Sequence, residues 1–255
     1  MMIVKIGLMH YRVGETDGVS LEMEKWKTVL ELMGHDVHFI AGELNGMDGF
    51  QVPSLGMDNQ KNLLIHSNAF ESLETPLDQL KEMFNSYVVE IEKELMVLPK
   101  FDILMVNNVL SLGYNLAASL AVTGYVAKTG TSLITHNHDF YWERERYSKP
   151  TCDFVTELLE NYFPPNLENS KHVTINKMAR DELKRRKGID STVVPNVFDF
   201  DQDEWKLDTY NEDLRERLGI PNEDIVVLHA TRIVERKAIE IAMDFVAEFC
   251  KLNDN

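Results

Sequence analysis

Residues 135–146 read Thr-His-Asn-His-Asp-Phe-Tyr-Trp-Glu-Arg-Glu-Arg. They directly follow an apolar run with strand character. Two histidines, an aspartate, three aromatics and four alternating charges are hard to bury as core, and they suit hydrogen bonding to a polyhydroxylated ligand. His136 and His138 are expected on opposite faces, so that one site does not use both. A zinc centre needs a third and fourth ligand at suitable spacing. None is evident, and no metal is expected.

Two further segments have chemical potential. Thr16-Asp17-Gly18-Val19-Ser20 opens a helix, where backbone N–H groups favour an anion. Gly18 would let a ligand approach the backbone. Near the other end, Arg232 and Lys237 flank a turn between an apolar run and an amphipathic helix. Arginine offers phosphate a planar fork and lysine a compact charge. Each such charge contributes roughly 4 kcal/mol at ~4 Å when the effective dielectric is near 20. The same two residues would also serve as solvated turn charges.

The elements that must position these groups alternate between strand and helix. Met2–Met9 is nearly continuous apolar sequence, as expected of a strand covered on both faces. Val19–Met33 has helical spacing and Gly34 is a natural stop. Asp36–Ala41 is the next strand. Short strands are expected near Gln51–Leu55 and Asn62–His66. Thr75 and Pro76 open a long helix reaching about Leu98. Strands at Phe101–Val106, Ser132–Thr135, His172–Ile175 and Thr192–Val194 alternate with helices at Leu112–Lys128, Asp139–Tyr147, Asp153–Tyr162 and Ala179–Lys187. Gly188 ends the last of these. The expectation is an α/β fold, a Rossmann-like doubly wound parallel sheet.

That domain is expected to span residues 1–197. An acidic, aromatic connector and a helix, Tyr210–Leu218 before Gly219, fill 198–218. A second, incomplete domain starts at 219–255 with a strand at Ile225–Ala230 and a helix at Ala238–Phe249.

Composition bounds the function. The chain has 255 residues and a net charge of -16, which disfavours nucleic acid and anionic membranes as partners. Two distant cysteines, Cys152 and Cys250, point to a reduced, cytoplasmic protein. The apolar N-terminus is too short for a membrane span and has no cleavage signature. No Walker loop, CxxC pair or Ser/His/Asp arrangement is present.

Taken in order, these segments resemble the family 4 (group 1) glycosyltransferases of the GT-B fold. Gly18-Val19-Ser20 takes the place of the glycine loop before the first helix. GHDVHFIA at 34–41 is similar to the family's second strand. ITHNHDF at 134–140 looks like its strand-end segment with a donor-contacting histidine. VTINKMARDEL at 173–183, VVPNVFDFD at 193–201 and ATRIVERKAIEIAM at 230–243 look like later landmarks. The chain departs from the pattern at Ala238 and Val197, where the family has glycine, and the family's paired glutamates have no counterpart before Asn255.

The resemblance implies two Rossmann-like domains with a cleft between them, the first of them the GT-B N-terminal domain. It implies a retaining transfer of a hexosyl group, mannose being one candidate, from a nucleotide-sugar (GDP-mannose or a UDP-sugar) to a small hydroxylated or glycosidic acceptor, with no cofactor. By the same analogy His138 and Asp139 are the candidate catalytic residues. Gly18, Val19, Arg232 and Lys237 would hold the donor, and His10, Trp142 and Arg144 the acceptor. A chain with an incomplete donor domain is expected to be nearly inactive alone, and to cover residues 225–249 with its first domain, a second copy or a partner chain. Two other readings are a non-catalytic sugar-binding or assembly subunit and a GT-B nucleotide-sugar epimerase.

Overall fold

Seven parallel strands form one sheet in the order β3-β2-β1-β4-β5-β6-β7. The structure is a computed structural model and describes residues 2–196, 198, 200 and 206–252. The strands are β1 (Lys5–Arg12), β2 (Asp36–Glu43), β3 (Gly49–Gln51), β4 (Ile103–Asn107), β5 (Ser132–Asn137), β6 (Ser170–Thr174) and β7 (Thr192–Val193). Helices α1 (Gly18–Leu32), α2 (Gln60–Phe70), α3 (Leu77–Met96), α4 (Leu116–Thr129), α5 (Glu145–Ser148), α6 (Asp153–Tyr162) and α7 (Lys177–Lys187) connect them. The order reverses where β1 pairs with both β2 and β4. Such a reversal opens a crevice beyond the strands' C-terminal ends.

The sheet is buried on both faces, which explains its apolar strands. One face packs Leu8, Phe39 and Met105 with Met23 of α1. The other packs Met9, Ile40 and Val106 with Phe84 and Ile91 of α3, Val122 of α4 and Leu159 of α6. Alternate residues of each strand serve alternate faces, so neighbours such as His10 and Tyr11 look to opposite sides.

Several local expectations need correction. The strand near Gln51–Leu55 ends at Gln51, and Pro53–Leu55 is a 3-10 turn. Helix α4 starts at Leu116, where the Asn115 side chain caps it, and not at Leu112. Residues 62–66 are helical within α2, not a strand, because the Asn59 side chain caps the helix through Lys61 N (3.0 Å) and Asn62 N (3.4 Å). Helix α3 begins one residue later than expected, with Pro76 at its cap. The Thr75 N–H instead donates to Asn68 Oδ1 at 2.7 Å. Residues 139–147 do not make one helix. Glu143 accepts from Phe140 N at 2.7 Å and closes a single 3-10 turn, and extended Arg144 separates it from α5.

The chain divides into two units, residues 1–198 and 199–255. The expected connector falls largely on residues outside those described. In the second unit, Gly219 ends α8 (Leu214–Leu218) in a left-handed conformation, and α9 spans Ile239–Leu252. Residues 225–230 form no strand. A parallel strand needs a neighbour for its backbone groups, and none lies beside it among the described residues. The apolar side chains here are largely exposed, Ile225 and Leu228 at 81% and Phe245 at 66%. No helix of the described residues is long and apolar enough to cross a membrane.

Candidate active site

The crevice at the C-terminal end of β1, β4 and β5 gathers polar side chains on the α1 side of the sheet. Asn107 pairs in register with His136, so the two share a face. His10, at the end of β1, places Nδ1 2.7 Å from the Asn107 carbonyl. A carbonyl only accepts, so Nδ1 carries the hydrogen and Nε2 is the free acceptor. Burial holds the His10 imidazole down at about 4, against the opposing pull of that carbonyl and of Asp17.

His138 is fixed from three directions. Its backbone N–H donates to Asn108 Oδ1 at 2.8 Å, and the Asp139 N–H donates to the same oxygen at 3.1 Å. Its ring Nε2 lies 3.4 Å from Asn107 Oδ1 and Nδ1 lies 3.3 Å from the Asn196 amide nitrogen. Asn107 Nδ2 donates to the Met9 carbonyl at 3.4 Å, which leaves its amide oxygen to accept from His138. The consistent tautomer therefore has hydrogen on Nε2. Asn108 adopts φ +58, a left-handed conformation that asparagine tolerates better than most residues.

His136 lies directly behind His138. Their ring centroids are 4.2 Å apart, which overturns the expectation of opposite faces. Residues two apart in a strand share a face. His136 is fully buried, touches Trp26 edge-on at 5.4 Å, and has no hydrogen-bond partner for either ring nitrogen among the described residues. Burial, then His136 and His10, push His138 down to about 3. At neutral pH it is an uncharged hydrogen-bonding group and not a stored proton.

The loop after β1 meets this cluster through Asp17. Its carboxylate caps α1, accepting from Val19 N (3.0 Å), Ser20 N (3.2 Å) and Ser20 Oγ (3.0 Å), and it pairs with Arg12 at 3.3 Å. Burial raises the Asp17 carboxyl, but the Ser20 hydrogen bonds together with His10 and Arg12 outweigh it and hold the group below its usual range. Gly18 is exposed, and an added Cβ there would meet nothing within 4 Å. The helix N-terminus is thus open to a ligand on its Gly18 side, while the Val19 and Ser20 N–H groups are already engaged.

Asp139 and Arg144 bind each other as an ion pair about one-third exposed, and the Asp139 carbonyl accepts from Ser111 Oγ at 2.7 Å. Trp142 stacks on Phe140 at 4.4 Å beneath Arg186 and packs with Ala179 and Leu183 of α7. Its position is therefore accounted for by packing. In the second unit Arg232 is exposed, and Lys237 closes a single 3-10 turn at Glu235–Lys237. Ala238 takes φ +50. No group of three His, Cys, Asp or Glu among the described residues is placed to hold a metal ion.

The amides of Asn107, Asn108 and Asn196 escaped the sequence reading as functional groups. The one available signal was the pair of asparagines at the end of a strand.

No family model matches the chain. Mannosylglucosylglycerate synthase of Petrotoga mobilis is 45% identical over 249 residues, covering 97% of this chain. The synthase of that name from Thermotoga maritima is 41% identical over 250 residues, covering 96%. The chain is similar to these two synthases over nearly all of its own length. It spans 57% and 56% of the length of those two relatives. The resemblance to glycosyltransferases drawn from the motifs therefore coincides with homology to enzymes of that class.

Proposed function

We propose that this chain supplies the acceptor-side lobe, and the opening segment of the donor-side lobe, of a retaining mannosyltransferase that acts on glucosylglycerate. The observation that carries the reading is His138, held in place by Asn107, Asn108 and Asn196 at the sheet's switch point and kept uncharged by burial. A sugar hydroxyl would take the place of Asn107 Oδ1 or the Asn196 amide on the ring, both of which lie at long range (3.4 and 3.3 Å), and the ring's fixed orientation lowers the entropic cost of that exchange. The relatives' name supplies the sugar and the acceptor.

In this reading Arg232 and Lys237 neutralise the departing diphosphate. The mannosyl C1–phosphate oxygen bond breaks, and a bond from C1 to the acceptor oxygen forms on the same face. The acceptor hydroxyl proton passes to the leaving phosphate oxygen. His10 offers Nε2 to an acceptor hydroxyl, and Gly18 lies under the donor. Asp139 orients Arg144 in this scheme.

A panel of GDP-mannose, GDP-glucose and UDP-glucose, each with and without glucosylglycerate, tests the reading on this chain and on one extended to the relatives' length. The expected result is transfer from GDP-mannose by the extended chain, with little from the 255-residue chain. Turnover of a sugar nucleotide without acceptor, giving an epimer, would replace the reading with an epimerase.

A further inference from the structure

A second polar cluster lies on the opposite side of the sheet, at the same strand ends. Arg146 is exposed, and its guanidinium lies 4.6 Å from the Tyr147 ring centre and 5.9 Å from that of Tyr114. His66 faces it, with Nε2 3.4 Å from an Arg146 nitrogen. The His66 ring packs edge-on to Tyr147 at 5.6 Å and lies 5.7 Å from Tyr114. Among the described residues Arg146 makes no ion pair with a carboxylate, unlike Arg12, Arg144, Arg180, Arg185, Arg186 and Arg217. In a chain with 42 acidic residues, an arginine seated on two tyrosines and left unpaired calls for a reason.

The cluster is joined to the histidine site by rings. His10 and Tyr11 are 5.1 Å apart, and Tyr11 and Tyr114 are 5.2 Å apart. Tyr114 is anchored by its hydroxyl, which donates to the Met57 carbonyl at 3.0 Å. Asp58 and Glu43 act on Tyr114 electrostatically, but neither pairs with Arg146. Tyrosine faces hold a guanidinium in place without neutralising it. Both groups that hydrogen-bond the guanidinium, His66 and Tyr147, are uncharged, so its positive charge stays available to an anion.

We infer that Arg146, steadied by Tyr114, Tyr147 and His66, binds the carboxylate of an acidic glycoside acceptor whose reacting sugar lies at His10 and His138. This rests on the acceptor-side reading above and deepens it. It assigns the charged end of the acceptor to Arg146 and not to Arg144, whose guanidinium Asp139 already occupies. His66, held neutral at about 4 by burial and then by Arg146, adds no competing charge and accepts from the guanidinium.

The test is equilibrium binding of two ligands to the 255-residue chain: glucosylglycerate, and glucosylglycerol, in which a neutral hydroxymethyl replaces the carboxylate. Wild type is expected to bind the acid about tenfold to a hundredfold more tightly, the range for hydrogen bonds to a charged group. R146Q should abolish that preference while leaving glucosylglycerol affinity within about twofold, and R146K, with charge but no fork, should keep a part of it. Arg146 is exposed, so both variants should fold, and a melting curve checks that they do. A preference that survives in R146Q overturns the inference. So does equal binding of both ligands by wild type, which leaves the acceptor-side reading standing. Failure of wild type to bind either ligand contradicts that reading and the inference with it.

Discussion

The side-chain oxygen of Asn108 lies 2.8 Å from the backbone nitrogen of His138 and holds the segment after β5 against the end of β4. The same oxygen accepts from Asp139 N at 3.1 Å. One side chain in a left-handed conformation thus sets the direction in which the chain leaves the sheet. Asn108→Ala removes both hydrogen bonds and leaves two backbone donors unsatisfied, one of them in a buried residue. The expected loss is about 2 kcal/mol of stability. Activity of the extended enzyme should fall further than saturating substrate restores. Asn108→Gly keeps the backbone conformation and removes only the acceptor. If denaturant melts show Asn108→Gly as stable as wild type, the oxygen does not have this role.

His136 is the second test. Both of its ring nitrogens are buried without partners. Replacing an unpaired buried polar group with an apolar one of similar size is neutral to stabilising. His136→Leu should raise the unfolding free energy at pH 7 by about 1 kcal/mol. A clear loss of stability would mean that the imidazole has a partner that the geometry does not reveal.

The buried histidines also set a pH dependence. His10, His66, His136 and His172 are held at about 4 and His138 at about 3, each chiefly by burial, against an ordinary 6.5. Below 6.5 the unfolded chain takes up protons that the folded chain refuses. The unfolded state then binds more protons, so stability rises with pH. Stability should therefore be full above about pH 7 and fall steadily from 6.5 towards 4. Chemical denaturation at stepped pH should show that slope, and His136→Leu should make it shallower. A flat profile from pH 7 to 4.5 would contradict the neutral, buried state of these rings.

Ala238 takes φ +50, a left-handed conformation that favours glycine. A non-glycine residue there costs roughly 1 kcal/mol. Ala238→Gly should relieve that strain locally, offset in part by greater freedom in the unfolded chain. The expected net change is within about 0.5 kcal/mol of zero or slightly favourable. Hydrogen exchange at the Glu235–Lys237 turn should slow or stay constant. Faster exchange would argue that alanine is preferred for another reason.

The Asp139–Arg144 pair separates structure from chemistry. Both side chains are about one-third exposed, and such pairs contribute at most about 1 kcal/mol. Asp139→Asn should therefore cost little stability. Because Asp139 orients Arg144 in the proposed scheme, kcat of the extended enzyme should fall by no more than about tenfold. A drop of about a hundredfold or more at unchanged stability would instead make Asp139 a catalytic group.

Much of the sheet was legible because its signals are local. Apolar runs marked the buried parallel strands, and α6 has the bounds that its periodicity predicts. Gly34, Gly188 and Gly219, read as helix stops, all take positive φ. The site was legible in its histidines but not in what holds them. Asn108 acts across 30 residues and Asn196 across 58, and no local pattern reports such partners. Trp142, expected as an acceptor contact, stacks on Phe140 and packs against α7, neighbours that no local pattern reports. The apolar run at 225–230 looked like a strand, but hydrophobicity alone cannot supply the neighbouring backbone that a strand requires.

The account's central claim is that the imidazole of His138 contacts the mannosyl group during transfer. The most direct measurement is single-turnover formation of mannosylglucosylglycerate from GDP-mannose, by wild type and His138→Ala in a chain of the relatives' full length, with the product's anomeric configuration determined by NMR. The account predicts product with the donor's configuration, and a rate at least a hundredfold lower in the variant while its melting point stays close to wild type. Equal rates for the two proteins, or an inverted product, would contradict it.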